Sequence, residues 1–307
     1  MNLTELQELR REKWHLTGQP IRTGEAARAF IESVGICPMY PTQTPLLMPS
    51  FMGAYAGTDE NLPTWQKAFA DPLAKDATEL MVRLLREKSA FEANVLGDGE
   101  EGNNCLISAS AFPYFYALVG DPAPRTMPQP GTPSAYSPLA RDLFDVLKRL
   151  GARSKQRLRR KLGGELTDAA LDRALHELWS RLRITRVDYR SDEGAFWDVL
   201  LRWAPEPVRQ GLDTPLPTAL SALVSKYVEA VIAAEPADVE YFFSKFVSRA
   251  KVKDAISALL TTPDFRMTQV GNRSMLIPAA RLHAMEKAAL KRKQPIARRP
   301  RPGVRVP

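Results

Sequence analysis

From residue 139 onward, apolar positions recur at helical spacing. Leu139, Leu143, Phe144, Val146, Leu147 and Leu150 form one stripe, and Gly151 stops the helix that carries it. Ser154 caps a short second helix with Leu158 and Leu162 facing inward, ended by Gly163 and Gly164. Thr167 caps a third, in which Leu171, Leu175, Leu178, Trp179 and Leu182 share one face while Arg173, His176 and Arg181 occupy the other. The pattern then changes period. Residues 183–189 are rich in β-branched and aromatic side chains, 191–194 form a turn, and 196–201 return as a second strand. Three short helices followed by a hairpin predict a winged helix over 138–204.

Residues 216–278 repeat the plan. A helix over 217–234 is followed by Pro236 at a favoured first helical position, with Val239, Phe242, Phe243 and Phe246 as its buried face. Ser248 caps the next helix, whose apolar positions Val252, Ile256, Leu259 and Leu260 leave Arg249, Lys251 and Lys253 outward. Strands over 265–270 and 273–277 flank the two-residue turn Gly271-Asn272. The block over 1–120 reads as a helical domain whose elements are compatible with a third, decorated winged helix. Helices are expected over 3–16, 24–34, 76–88 and 112–118, with a strand pair over 91–96 and 105–108. Residues 37–49 carry Pro38, Pro41, Pro45 and Pro49 and read as irregular loop.

Prolines also mark the seams. Pro122, Pro124, Pro128, Pro130, Pro133 and Pro138 predict an extended linker over 121–137, and a shorter seam runs from 205 to 217 with Gly211 inside it. Residues 279–307 read as a basic helix running into a disordered tail. The fold class expected is mainly α with small β-hairpins, arranged as tandem winged-helix (helix-turn-helix) domains.

Composition narrows the function. No long apolar stretch lacks a charge, and no apolar segment with a cleavage site follows Arg10, Arg11 and Lys13, so neither a membrane span nor a secretory signal is expected. Cys37 and Cys105, the two cysteines of the chain, have no metal-ligand or disulfide spacing and read as reduced thiols. A cytoplasmic protein is expected, nucleoid-associated if DNA is bound. The formal charge is +8, yet residues 281–305 alone hold nine basic side chains against Glu286, so the rest of the chain sums to zero. Charge is nonetheless concentrated inside the chain. Lys148, Arg149, Arg153, Lys155, Arg157, Arg159, Arg160 and Lys161 fall within 148–161 without an acid among them.

In a winged helix the second and third helices face a duplex, so this cluster lies where phosphates are met. Arg153, Lys155, Arg157, Arg159, Arg160 and Lys161 are therefore the expected phosphate ligands, with Arg173, His176 and Arg181 nearer the groove and Arg249, Lys251 and Lys253 a second patch. A solvated charged face is the competing reading. Residues 97–102 match G-x-G-x-x-G letter for letter, but no helix-forming run follows, and Asp98, Glu100 and Glu101 repel a pyrophosphate, so a hairpin tip is the better reading. His176-Glu177 begins like a zinc-protease motif but Ser180 stands where its second histidine belongs. Neither a metal nor a cofactor is expected.

The order of parts resembles the bacterial tandem winged-helix DNA glycosylases of the AlkZ and YcaQ type. The likeness runs from about Ile21 to Ile277 and rests on Val34-Gly35-Ile36 after a helix, on Phe91-Glu92 and Leu106-Ile107-Ser108, and on the two winged helices. It implies removal of alkylated or crosslinked bases from duplex DNA, with a Gln-x-Gln or Gln-x-Asp motif just after the stretch that matches 34–36. The corresponding residues here are Cys37-Pro38-Met39, and neither Cys37 nor Met39 supplies an amide or carboxylate to stabilise charge on the sugar. Gln43 and Glu92 are the remaining catalytic candidates. Three readings stand: a DNA-binding relative without excision activity, an active glycosylase with a site rearranged around Gln43, Phe91 and Glu92, and a protein-interaction or transcription-regulatory module.

Overall fold

The computed structural model describes residues 2–42, 46–64, 70–94, 104–128, 131, 136–163 and 165–283 of the chain. Gln43, the 97–102 motif, Gly164 and the basic tail from residue 284 lie outside the described residues.

The N-terminal part opens with α1 (Leu3–Lys13), started by a capping box in which Asn2 and Glu5 exchange hydrogen bonds. It continues with α2 (Gly24–Val34), β1 (Ile36–Pro38), α3 (Phe51–Ala56), α4 (Pro72–Arg86), β2 (Ala90–Asn94), β3 (Asn104–Ser108) and α5 (Phe112–Val119). The three strands form an antiparallel sheet in the order β1-β3-β2. The start of the expected irregular loop is thus a strand. Pro38 is tolerated because β1 is an edge strand, where a missing N–H breaks no ladder.

Side chains alternate across this sheet. Ile36, Phe91, Ala93, Cys105 and Ile107 belong to one core, and Cys37, Ala90 and Leu106 to another packed under α2, α3 and α4.

The middle part comprises α6 (Pro138–Leu150), β4 (Arg153–Ser154), α7 (Lys155–Leu162), α8 (Asp168–Trp179), β5 (Ile184–Arg190) and β6 (Gly194–Val199). Ser137, Ser154 and Thr167 cap the three helices with side-chain oxygens that accept from Ala140, Arg157 and Ala170 N–H groups. The hairpin expected from the sequence gains a third strand, because Arg153 and Ser154 pair with Trp197 and Phe196. The strand expected over 196–201 ends at Val199, and its last residues begin α9 (Leu200–Trp203).

The seam expected over 205–217 holds a helix, α10 (Pro205–Asp213). Its prolines sit in the first turn, where the absent N–H has no intrahelical partner to lose and φ is already helical. The last part follows as α11 (Leu216–Val231), α12 (Pro236–Phe243), α13 (Arg249–Thr261), β7 (Phe265–Val270) and β8 (Arg273–Pro278), the two strands paired antiparallel around Gly271, whose φ is +61°. The chain is mainly helical with small antiparallel sheets.

Two cores show how the parts meet. One lies within the middle part, from Tyr136 to Val199. The other combines Phe91, Phe112 and Phe115 of the N-terminal part with Leu200 and Val208 and with Leu223, Val224, Phe242, Ile256 and Leu276 of the last part. Residues 121–128, read as extended linker, are wrapped onto the middle part by Arg183. This fully buried guanidinium donates from Nε to Asp121 (2.7 Å) and Tyr136 (3.0 Å), and from Nη2 to the carbonyls of Ala123 and Thr126. Among the described residues no helix is long and apolar enough to cross a membrane.

Candidate nucleic-acid interface and a buried polar centre

The cationic cluster of the middle part divides into two groups. Lys155 reaches Asp172 (2.6 Å) and Asp168 (3.6 Å), Arg159 pairs with Asp168, and Arg157 pairs with Glu193 of the β5–β6 turn while lying over the Phe196 ring. These contacts tie α7 to α8 on one side and to the hairpin on the other. They also hold the Glu193 carboxyl down at about 2, through the hydrogen bonds from Arg157 and Ser154. Arg160 and Lys161 are exposed at the end of α7, Arg173 is exposed on α8, and none of the three has an ion pair among the described residues. Arg153 is half-buried and donates to the carbonyl of Ala152.

The remaining expected ligands are dispersed. Arg181 lies over the ring of Tyr136, which packs against the middle core. His176 is half-buried, with Nδ1 3.5 Å from Asn94 Nδ2, so this part of α8 faces the N-terminal sheet. On α13, Arg249 pairs with Glu240 (2.7 Å), and Lys251 and Lys253 are exposed.

The other candidate, Glu92, is in the middle of β2 and 2% exposed. Its Oε1 accepts from Asn104 Nδ2 (2.7 Å) and from the Arg186 guanidinium (3.1 Å), and its backbone carbonyl accepts from Trp179 Nε1 (3.2 Å) and Thr185 Oγ1 (2.9 Å). Arg186 is held between two indoles, 4.6 Å from the centroid of Trp179 and 4.9 Å from that of Trp197. Burial pushes the Glu92 carboxyl above the usual carboxylate range, while Arg186 and Asn104 pull it the other way. The network joins β2 to α8 and β5, and Arg86 of α4 adds a salt bridge to Asp188 (2.6 Å).

Sequence reading missed Asn94, Asn104 and Arg186. The polar alternation of Glu92 and Asn94 within an apolar strand was a visible signal, but Asn104 and Arg186 reach it only through strand register and the packing of β5.

At positions 37 and 39 the chemistry is apolar. Cys37 is buried, with its thiol pushed up by desolvation, and Met39 is 4% exposed. Neither presents a polar group to a sugar or base.

The family model for DNA glycosylase AlkZ-like proteins matches residues 102–302. The chain belongs to the DNA glycosylase AlkZ-like family. No curated protein matches it. In this AlkZ-like chain the matched range takes in β3, the whole middle and last parts and the cationic surface, and it begins after β2. Cys37, Met39, Glu92 and Asn94 therefore lie upstream of the match, whereas Asn104, His176 and Arg186 lie within it.

Proposed function

We propose that this chain is a duplex-DNA-binding protein of DNA repair, in which 138–204 and 216–278 act as winged-helix units and the first of them supplies the main contact. Family membership supports a role in DNA repair. The observation that carries the duplex-binding reading is the set of exposed cations Arg160, Lys161 and Arg173 on the second and third helices of a three-helix unit with a hairpin. Lys155, Arg157 and Arg159 hold carboxylates already, so phosphate must displace Asp168, Asp172 or Glu193 to engage them. Lys251 and Lys253 extend the contact from the second unit.

A labelled duplex titrated with the full chain across a salt series tests this. Each phosphate neutralised contributes roughly −0.9 to the slope of log affinity against log salt. The double reversal Arg160→Glu with Lys161→Glu is expected to weaken binding at least ten-fold and to flatten that slope by about 2. Unchanged affinity in the double variant removes this surface from the interface.

A second reading, base excision, draws on one observation: the buried carboxylate of Glu92 on the sheet that also carries residues 37–39. Dimethyl-sulfate-treated duplex incubated with or without the chain and then cut by an abasic-site endonuclease reports chain-dependent abasic sites as strand breaks. Breaks that disappear in Glu92→Gln support excision, and their absence with the unaltered chain leaves DNA binding as the function.

A further inference from the structure

Helix α7 carries five cations and no acid, yet three of the five are neutralised from other elements. Lys155 and Arg159 lie one helical turn apart, and α8 holds both: Asp172 accepts from Lys155 Nζ at 2.6 Å, and Asp168 accepts from Arg159. On the other side, Glu193 of the β5–β6 turn accepts from Arg157 Nε at 2.6 Å, from Arg157 Nη2 and from Ser154 Oγ at 2.7 Å. Its side chain is 12% exposed, so this carboxylate is seated against α7 and does not merely wave above it.

Partly exposed ion pairs of this kind add little to stability. Their effect on access is direct. A carboxylate and a phosphate take the same fork of guanidinium donors. Glu193 already occupies both Nε and Nη2 of Arg157, so Arg157 holds the one anion or the other. The same exclusion applies to Lys155 against Asp172 and to Arg159 against Asp168. Arg160 and Lys161, in the last turn of the same helix, are exposed and have no ion pair among the described residues.

We propose that Asp168, Asp172 and Glu193 form an autoinhibitory acidic latch on the face of the middle part that meets DNA. The latch withholds Lys155, Arg157 and Arg159 from loose contact with duplex and yields them only when a docked backbone sets phosphates where the carboxylates were. Arg160, Lys161 and Arg173, outside the latch, make the first contact. The latch rests on the DNA-binding reading above.

Anisotropy of the full chain on a labelled, unmodified duplex of random sequence tests it. The latch-free chain Asp168→Asn, Asp172→Asn, Glu193→Gln should bind about ten-fold tighter than the unaltered chain, because each exposed pair opposes binding by a few-fold. Its slope of log affinity against log salt should steepen by roughly 0.9 for each cation freed. Loss of negative charge near DNA raises affinity by itself, and a mutant cycle separates that effect. In a chain already carrying Lys155→Gln, Arg157→Gln and Arg159→Gln, the same three neutralisations should gain about two-fold at most, since charges not in contact act through screening solvent. Should the triple variant lose its cooperative melting transition, Glu193→Gln alone reads the latch, with a gain of about two- to three-fold that Arg157→Gln removes. Equal affinity of the unaltered and latch-free chains, or an equal gain with and without the three cations, overturns the latch. Absence of duplex binding by unaltered and latch-free chains alike overturns the DNA-binding reading instead.

Discussion

Arg183 shows how one side chain organises a neighbourhood that looks unstructured from its composition. Its guanidinium is fully buried, bonded to Asp121 and Tyr136, and stacked over Tyr136 and Phe144 at 5.0 and 5.5 Å. Replacing it with Met keeps most of the volume and strands Asp121 as a buried, unpaired carboxylate. Arg183→Met is therefore expected to cost about 3–5 kcal/mol in urea unfolding and to expose 121–128 to proteolysis. Glu193 makes a different statement about charge. Its folded value is depressed to about 2, so the stability it contributes is present above the ordinary carboxylate value and is lost as pH falls from there toward 2. A carboxyl NMR titration should place Glu193 well below the other glutamates, and Arg157→Ala should return it to the ordinary range. Arg157 is thus expected to act first on the attachment of the hairpin to α7, and Arg160 and Lys161 on DNA.

Helix starts were the most legible elements, because a cap is a local event. Ser154 and Thr167 could be named from the sequence, and each accepts a hydrogen bond from the third residue on. Thr167→Ala should lower stability by about 1 kcal/mol, read from the shift in urea midpoint at constant m-value. Where prolines cluster, the same local reading erred. Pro205 and Pro207 look like a seam, yet they occupy the first turn of α10, which then packs on α5. Gly211 fixes that packing: a Cβ there would lie 2.7 Å from the carbonyl oxygen of Pro113 and 2.9 Å from Tyr116 Cβ. Helix propensity alone favours Gly211→Ala by up to about 1 kcal/mol. The overpacking penalty of about 1–3 kcal/mol is larger, so the variant is expected to melt earlier. A rise in melting temperature would show that α5 and α10 separate freely.

For the whole molecule, the distribution of cores matters more than the list of elements. The middle part encloses its own core, whereas Phe91, Phe112 and Phe115 are covered by residues from α9 to β8. A fragment of residues 121–204 is expected to unfold cooperatively by circular dichroism, and a fragment of residues 1–120 to expose apolar surface and bind a hydrophobic dye. A soluble, cooperatively folded N-terminal fragment would contradict this. The sequence by itself determined the helices that carry a long apolar stripe, both hairpins of the second half and the cation cluster, but not α3, α9 or α10, because periodicity, caps and turn residues act over a few neighbouring residues. Tertiary structure alone decided which cations remain free of carboxylates, since Asp168, Asp172 and Glu193 come from other elements than α7. It also decided that Glu92, Asn94, Asn104, His176 and Arg186 meet. These residues are spread over 92–186, and strand register together with the docking of α8 and β5 brings them to one face of a sheet. No short-range pattern encodes that meeting, because the energy that holds it comes from burial shared between distant segments of the chain.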